Sequence, residues 1–139
     1  MPPLTRWYIK SSLLFFIAAL LAGLALAARP LLDMPAWISA LGPVYFHLFM
    51  VGWVTQLIFG VVWWMFPKHT LERPGGSEGL GWATFALLNV GLLLRLVSEP
   101  LNSLQPQPAW GWLLVISAVL QWLAGVAFAA NTWSRVKER

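Results

Sequence analysis

Residues 44–66 read VYFHLFMVGWVTQLIFGVVWWMF, an apolar run without lysine, arginine, aspartate or glutamate. A membrane-spanning α-helix needs about 20 such residues to cross a hydrocarbon layer of about 30 Å. A membrane-spanning β-strand would need only about 9–11 residues. The run therefore predicts a transmembrane helix.

Three further apolar runs have a similar character, at residues 13–28, 82–101 and 110–130. The chain as a whole is 59% hydrophobic and only 10% charged, which is typical of a protein embedded in lipid. We therefore predict an all-α, integral membrane four-helix bundle that forms a single transmembrane domain over residues 1–139. Its helices are expected at about residues 8–28, 44–66, 81–101 and 109–133.

The connections between these runs differ in composition. Residues 29–43 contain three prolines among apolar residues, which predicts a segment lying along the membrane interface. Residues 67–79 read PKHTLERPGGSEG and predict a short polar turn region. Residues 98–107 contain Pro100 and Pro106, which predict a break between helices.

The positive charges indicate the orientation of the chain. The net charge is +4, but the lysines and arginines are scattered at segment ends and form no patch for nucleic acid. Seven of them fall on the side that holds both termini and only Arg29 on the other, which predicts cytoplasmic termini. We expect a multi-pass protein in the lipid bilayer of a bacterial or archaeal inner membrane. The seven are Arg6, Lys10, Lys68, Arg73, Arg135, Lys137 and Arg139.

Small and hydrogen-bonding residues recur at four-residue spacing on three of the predicted helices. In a membrane such stripes mark helix contact faces, because lipid tails provide no hydrophobic drive for association. We expect them to pack within the bundle or between protomers. The stripes are Ala19, Gly23 and Ala27; Gly52, Gln56 and Gly60; and Ser117, Gln121, Gly125 and Ala129.

Only two ionisable side chains fall at membrane depth, where their cost makes each a functional hypothesis. His47 lies one turn into the second helix, and Arg95 lies about two turns from the matching end of the antiparallel third helix. A histidine nitrogen can ligate haem iron, and an arginine at a similar depth could neutralise a haem propionate. At α-helical spacing Val51, Val54 and Ile58 lie on the His47 face, which predicts an apolar wall for a porphyrin edge. The alternatives are that His47 bonds to a neighbour or to water and that Arg95 pairs with Glu99 at i+4. His69, in the polar turn, is expected to be solvated.

The second helix resembles helix II of haem–copper oxidase subunit I and of the related nitric oxide reductases. In that family a histidine near the outer end is followed by a run of the form FVTQMIFG, by aromatics, and by a closing Pro-Lys or Pro-Arg. Here the corresponding pieces are His47, WVTQLIFG at residues 53–60, two tryptophans, Pro67 and Lys68. The resemblance implies haem b as the cofactor and His47 as an axial ligand of its iron, and it implies no direct role for Arg95. The bundle would correspond to one of the family's three four-helix arcs.

The departures from that family are large. The full subunit has about twelve helices and three copper-ligating histidines, whereas this chain has two histidines in all. It cannot form an oxygen-reducing haem–copper centre from its own residues, so we assign no catalytic residue. We expect a homo-oligomer, dimer or trimer, that holds haem for electron transfer or diatomic gas binding, with a redox protein or quinol as partner.

Two other functions remain open. One is a non-haem accessory or assembly subunit of a respiratory membrane complex, which keeps the fold without the cofactor. The other is a small transporter or channel, which is disfavoured because no run is interrupted by proline at mid-membrane.

Overall fold

The computed structural model describes residues 1–66 and 76–136. It contains four helices that are long and apolar enough to cross a membrane, and the described residues include no β-strand. The predicted all-α, membrane-spanning four-helix bundle is therefore confirmed. The helices are α1 (Pro3–Ala28), α2 (Ala36–Met65), α3 (Glu78–Leu104) and α4 (Pro108–Trp133).

Successive helices run in opposite directions, which gives the bundle two distinct ends. We call the end where α1 begins the proximal end and the end where α1 finishes the distal end. The Tyr8 hydroxyl of α1 donates to the Gly81 carbonyl of α3 over 3.4 Å, so both helices begin at the proximal end. In the same half of the bundle Phe59 of α2 stacks on Phe128 of α4 with ring centroids 3.7 Å apart. These contacts close the proximal half of the core.

α2 begins earlier than the sequence predicted. A 3₁₀ turn at Ala36–Ala40 leads directly into α-helix at Leu41–His47, so residues 36–43 are helical and the predicted helix start at residue 44 is too late. Pro43, which the sequence places in the connection, lies in the first turn of the α-helical segment. Proline is tolerated there because the first N–H groups of a helix have no intrahelical acceptor.

α3 ends later than predicted. It continues through Pro100 to Leu104, so the break expected over residues 98–107 is wrong for most of its length. Proline lacks an N–H group, but membrane helices tolerate it where neighbouring helices and serine or threonine side chains satisfy the freed backbone. At the other end the Ser77 hydroxyl caps α3 by accepting from the Leu80 N–H over 3.3 Å. The predicted polar turn at residues 67–79 lies mostly outside the described residues.

The small-residue stripe on α2 is a packing face, and so is the first part of the stripe on α1, where Ala19 is fully buried but Ala27 is exposed. A Cβ atom at Gly52 would lie 2.8 Å from the Cβ of Phe15, and one at Gly60 would lie 2.7 Å from the Cβ of Tyr8. Gln56, between these glycines, is fully buried. The absence of side chains at these two positions therefore lets α1 and α2 approach closely, as predicted.

The prediction for α4 is correct for the first part of its stripe and wrong for the second part. Ser117 is fully buried, and its hydroxyl donates to the Gly91 carbonyl of α3 over 2.6 Å. A Cβ at Gly125 would meet nothing within 4 Å, and Ala129 is exposed, whereas Ala124 is fully buried. Four residues overshoot one turn of 3.6 residues by about 40°, so a stripe at four-residue spacing rotates away from its contact face within a few steps.

The proximal end is held by polar side chains that follow α4 or lie in its last turn. The Arg135 guanidinium is buried and donates to the Trp63 carbonyl over 3.2 Å and to the Phe66 carbonyl over 2.8 Å. It also lies 4.7 Å from the Trp63 ring centroid, and burial lowers the pKa of Arg135. Asn131 accepts from the Ser77 N–H over 2.6 Å and donates to the Ser77 carbonyl over 3.1 Å. These bonds join α4 to the end of α2 and the start of α3.

Candidate functional site

His47 lies in the distal half of α2, where the helix changes its geometry. It is the last residue of the α-helical segment Leu41–His47, and the next segment, Leu48–Thr55, is a π-helix. The Thr55 hydroxyl donates to the Met50 carbonyl, five residues earlier, over 2.8 Å. π-Helical turns are rare and occur frequently at functional sites. The helix therefore changes its geometry directly after His47, the residue that the sequence analysis selected as a possible metal ligand.

The His47 ring is oriented by the backbone of its own helix. Its Nδ1 lies 2.9 Å from the Pro43 carbonyl oxygen. A carbonyl oxygen can only accept, so this bond requires the proton on Nδ1 and leaves the lone pair of a neutral imidazole on Nε2. The carboxylate oxygen Oε2 of Glu99 also lies 3.6 Å from Nδ1. Histidines that bind metals usually donate their other N–H to a carbonyl or a carboxylate in this way.

Arg95 reaches the same carboxylate from its own helix. Its Nε lies 3.5 Å from Oε1 of Glu99, in the i,i+4 relation expected from the sequence. The exposed fractions of the side chains are 20% for His47, 22% for Arg95 and 15% for Glu99. Glu99 therefore bridges a histidine on α2 and an arginine on α3 in a partly buried setting. We call these three residues the distal cluster.

The distal cluster has unused hydrogen-bonding capacity. The Nε of Arg95 and the Oε2 of Glu99 are both buried, yet neither forms a hydrogen bond with the described residues. Buried polar atoms in proteins nearly always have a partner. The cluster can therefore accept a further polar group, such as a carboxylate at the arginine.

The structure brings together the two residues singled out from the sequence, His47 and Arg95, through Glu99. Glu99 was expected only as a partner of Arg95, and its contact with His47 was missed. The sequence contains a signal for this contact, because His47 and Glu99 both lie near the distal ends of antiparallel helices and therefore at similar depths in the membrane.

The apolar wall expected beside His47 is not a single surface. Val51, Val54 and Ile58 share a face with His47 only if α2 keeps α-helical spacing. Val51 instead packs against a core cluster that includes Phe59 and Leu88, whereas Ile58 is 51% exposed. The π-helical segment between His47 and Ile58 changes the rotation per residue and separates these side chains.

A second polar contact joins α2 to α3 nearer the middle of the bundle. The Gln56 side-chain amide donates to Oδ1 of Asn89 over 3.1 Å, and Asn89 donates to the Phe85 carbonyl over 2.8 Å. Hydrogen bonds of this kind hold membrane helices together. Asn89 was missed because it belongs to none of the small-residue stripes.

The candidate site provides few metal ligands. Within residues 1–66 and 76–136, no three histidine, cysteine or acidic side chains are grouped so as to hold a metal ion. The other histidine, His69, lies outside the described residues. Among the residues described, His47 is therefore the histidine available as a ligand, and it provides a single ring nitrogen.

No protein-family model, curated protein or solved structure matches this chain. The resemblance of α2 to the haem-bearing helix of the oxidases therefore depends on the residues of that helix alone.

Proposed function

We propose that this protein is a membrane haem b protein that acts in electron transfer or diatomic gas binding, without a copper site of its own. The observation that carries the proposal is the orientation of His47. Its Nδ1–H points to the Pro43 carbonyl with Glu99 behind it, so Nε2 is the nitrogen left for iron. The sequence resemblance of α2 supports the same role for the same residue.

The surroundings of His47 fit a haem ligand. A hydrogen bond from Nδ1 to a fixed carbonyl sets the tautomer and the ring orientation, and a nearby carboxylate makes the imidazole a stronger donor to iron. Such outer contacts are among the means by which a protein tunes a haem. Pro43 and Glu99 would thus act as positioning groups for the ligand.

Arg95 fits a second part of the cofactor. The Nε–H of its guanidinium faces Glu99, which leaves the terminal amino groups to donate to a haem propionate, itself a carboxylate. Glu99 would hold the guanidinium in place through its contact with Nε. When bound, haem supplies a one-electron redox change and, with one axial position open, a binding site for a diatomic gas.

A homo-oligomer would complete the site. The His47 side chain is partly exposed, and its neighbours Phe46 and Met50 are 59% and 41% exposed, so this surface of α2 is accessible to a second copy of the chain. In a dimer two His47 rings could share one iron, which favours electron transfer. In a trimer each haem could keep an open position. A redox protein or quinol would then exchange electrons with the haem.

The decisive experiment is a reduced-minus-oxidised spectrum of the protein, purified in mild detergent from cells with ample haem. We expect a Soret band that is lost in His47→Ala and kept in His69→Ala, the matched control. Full haem with an unchanged spectrum in His47→Ala would reject His47 as the ligand. Arg95→Leu should lower haem retention or shift the midpoint potential, and unaltered values would leave Arg95 as a partner of Glu99 only.

A second candidate is a non-haem accessory or assembly subunit. The observation that favours it is that Glu99 already contacts both His47 and Arg95, so the charges of the distal cluster partly neutralise one another. The same spectrum separates the two candidate functions, because a non-haem accessory subunit would show no Soret band under any condition.

A further inference from the structure

A cavity of about 220 Å³ lies at the proximal end of α1, far from the distal cluster. It is lined by Pro3, Arg6, Trp7 and Lys10. Arg6 and Lys10 are one turn apart on the same face of the helix, so their charged groups can reach a common ligand. The cavity therefore combines two cations with an aromatic ring.

The two cations lack acidic partners in the described part of the chain. Both ion pairs found there lie at the distal end, and neither Arg6 nor Lys10 pairs with a carboxylate of the described residues. Arg6, Trp7 and Lys10 are all exposed. Two exposed, uncompensated cations around one cavity favour an anion over a neutral ligand.

The position of the cavity on a membrane-spanning helix indicates the source of that anion. α1 has 26 residues, or about 39 Å at about 1.5 Å per residue, which exceeds the hydrocarbon thickness of about 30 Å. The uninterrupted apolar part starts only at residue 13. Arg6 and Lys10 therefore fall at the level of the lipid headgroups, where an exposed tryptophan is also favoured.

The Trp7 ring forms one side of the cavity and is held by a contact with α3. The Trp7 ring lies 6.5 Å from the Phe85 ring of α3, centroid to centroid, while 56% of Trp7 remains exposed. The ring thus has one side against the bundle and another available to a ligand. We propose that this cavity binds the phosphate of an anionic phospholipid, with Arg6 and Lys10 donating to the phosphate oxygens.

Native mass spectrometry in detergent tests this proposal with phosphatidylglycerol and phosphatidylcholine at equal concentrations. We expect the protein to retain phosphatidylglycerol at least about tenfold better, because the two cationic side chains attract the net negative charge that phosphatidylglycerol has and phosphatidylcholine lacks. Arg6→Gln with Lys10→Gln should abolish the preference. The control, Lys137→Gln with Arg139→Gln, removes the same charge elsewhere and should keep it.

Three results would overturn the proposal: no preference in the original chain, an equal loss in both double variants, or displacement of the lipid by excess inorganic phosphate. The last would indicate a site for free phosphate. Arg6 and Lys10 are exposed, and circular dichroism checks that the helices remain in both double variants. The outcome does not depend on haem, because the cavity lies at the opposite end of the bundle from His47.

Discussion

The two ends of the bundle use polar side chains in different ways. At the proximal end, Arg135 and Asn131 each form two hydrogen bonds with backbone groups of other helices or their caps. At the distal end, His47 and Arg95 meet Glu99 at 3.6 and 3.5 Å, and buried atoms of Arg95 and Glu99 lack hydrogen bonds with described residues. The first set joins helices through hydrogen bonds to backbone groups, whereas the second consists of charged side chains that meet at longer distances.

The largest expected effect comes from removing the proximal guanidinium. Arg135→Leu leaves the carbonyls of Trp63 and Phe66 without these donors, and hydrogen bonds to charged groups contribute about 1.5–3 kcal/mol each. We expect a loss of about 3 kcal/mol, measured by unfolding in detergent. Arg29→Leu, at an exposed position, is the control and should change stability by less than about 0.5 kcal/mol. Equal losses in the two variants would contradict a special role for the proximal end.

A smaller effect is expected at the glycine that precedes the cap of α3. Gly76 has φ +76°, and a Cβ there would lie 2.5 Å from Oδ1 of Asn131. Gly76→Ala should cost about 2 kcal/mol, since a left-handed conformation alone costs about 1–2 kcal/mol for a residue with a Cβ. Gly111→Ala, where a Cβ meets nothing within 4 Å, should be neutral or slightly stabilising. Thermal unfolding of the pair measures the difference, and equal midpoints would refute the proposed crowding.

A third pair of variants tests how tightly apolar side chains pack around the π-helical segment of α2. A Cβ at Gly52 would meet Phe15 at 2.8 Å, so Gly52→Ala should destabilise by about 1.5 kcal/mol through overpacking. Gly125→Ala adds the same methyl group in open space and serves as the control. If Gly52→Ala is as stable as the control, apolar packing around the π-helix is loose. The distal end would then differ from the proximal end in its apolar packing as well as in its polar contacts.

The smallest effect on stability is expected in the distal cluster itself. Glu99→Gln keeps the shape of the side chain but removes two long ionic contacts, which at partly exposed sites contribute at most about 1 kcal/mol. We expect Glu99→Gln to lower haem retention or shift the midpoint potential measurably, while the unfolding temperature stays nearly unchanged. A loss above about 2 kcal/mol would mean that the cluster is structural. Such a loss would favour the accessory-subunit function.

The sequence predicts the four spans well, because apolar length is a property of each segment alone. It misplaces the helix ends at Pro43 and Pro100, since a proline interrupts a helix only when its neighbours cannot satisfy the backbone. The bonds of Arg135 to Trp63 and Phe66 join positions about seventy residues apart. No local pattern predicts such a contact, so Arg135 looks like a simple flanking cation.

The candidate site is partly predictable for a similar reason. His47 and Arg95 stand out because ionisable groups are rare and costly within apolar runs. Their meeting at Glu99 follows from comparable depths on antiparallel helices. The π-helical geometry of Leu48–Thr55 has no signal in residues that are otherwise ordinary for a membrane helix, and the predicted wall of Val51 and Ile58 is wrong for that reason.

The π-helix makes the site sensitive to how the chain is wound between two points. An α-helix turns by about 100° per residue and a π-helix turns by less, so winding the same residues between His47 and Gln56 as an α-helix would point the imidazole in a new direction relative to Asn89 and Glu99. The hydropathy of the span would not change. The distal cluster therefore depends on how this segment is wound, a property that the hydropathy of the span does not record.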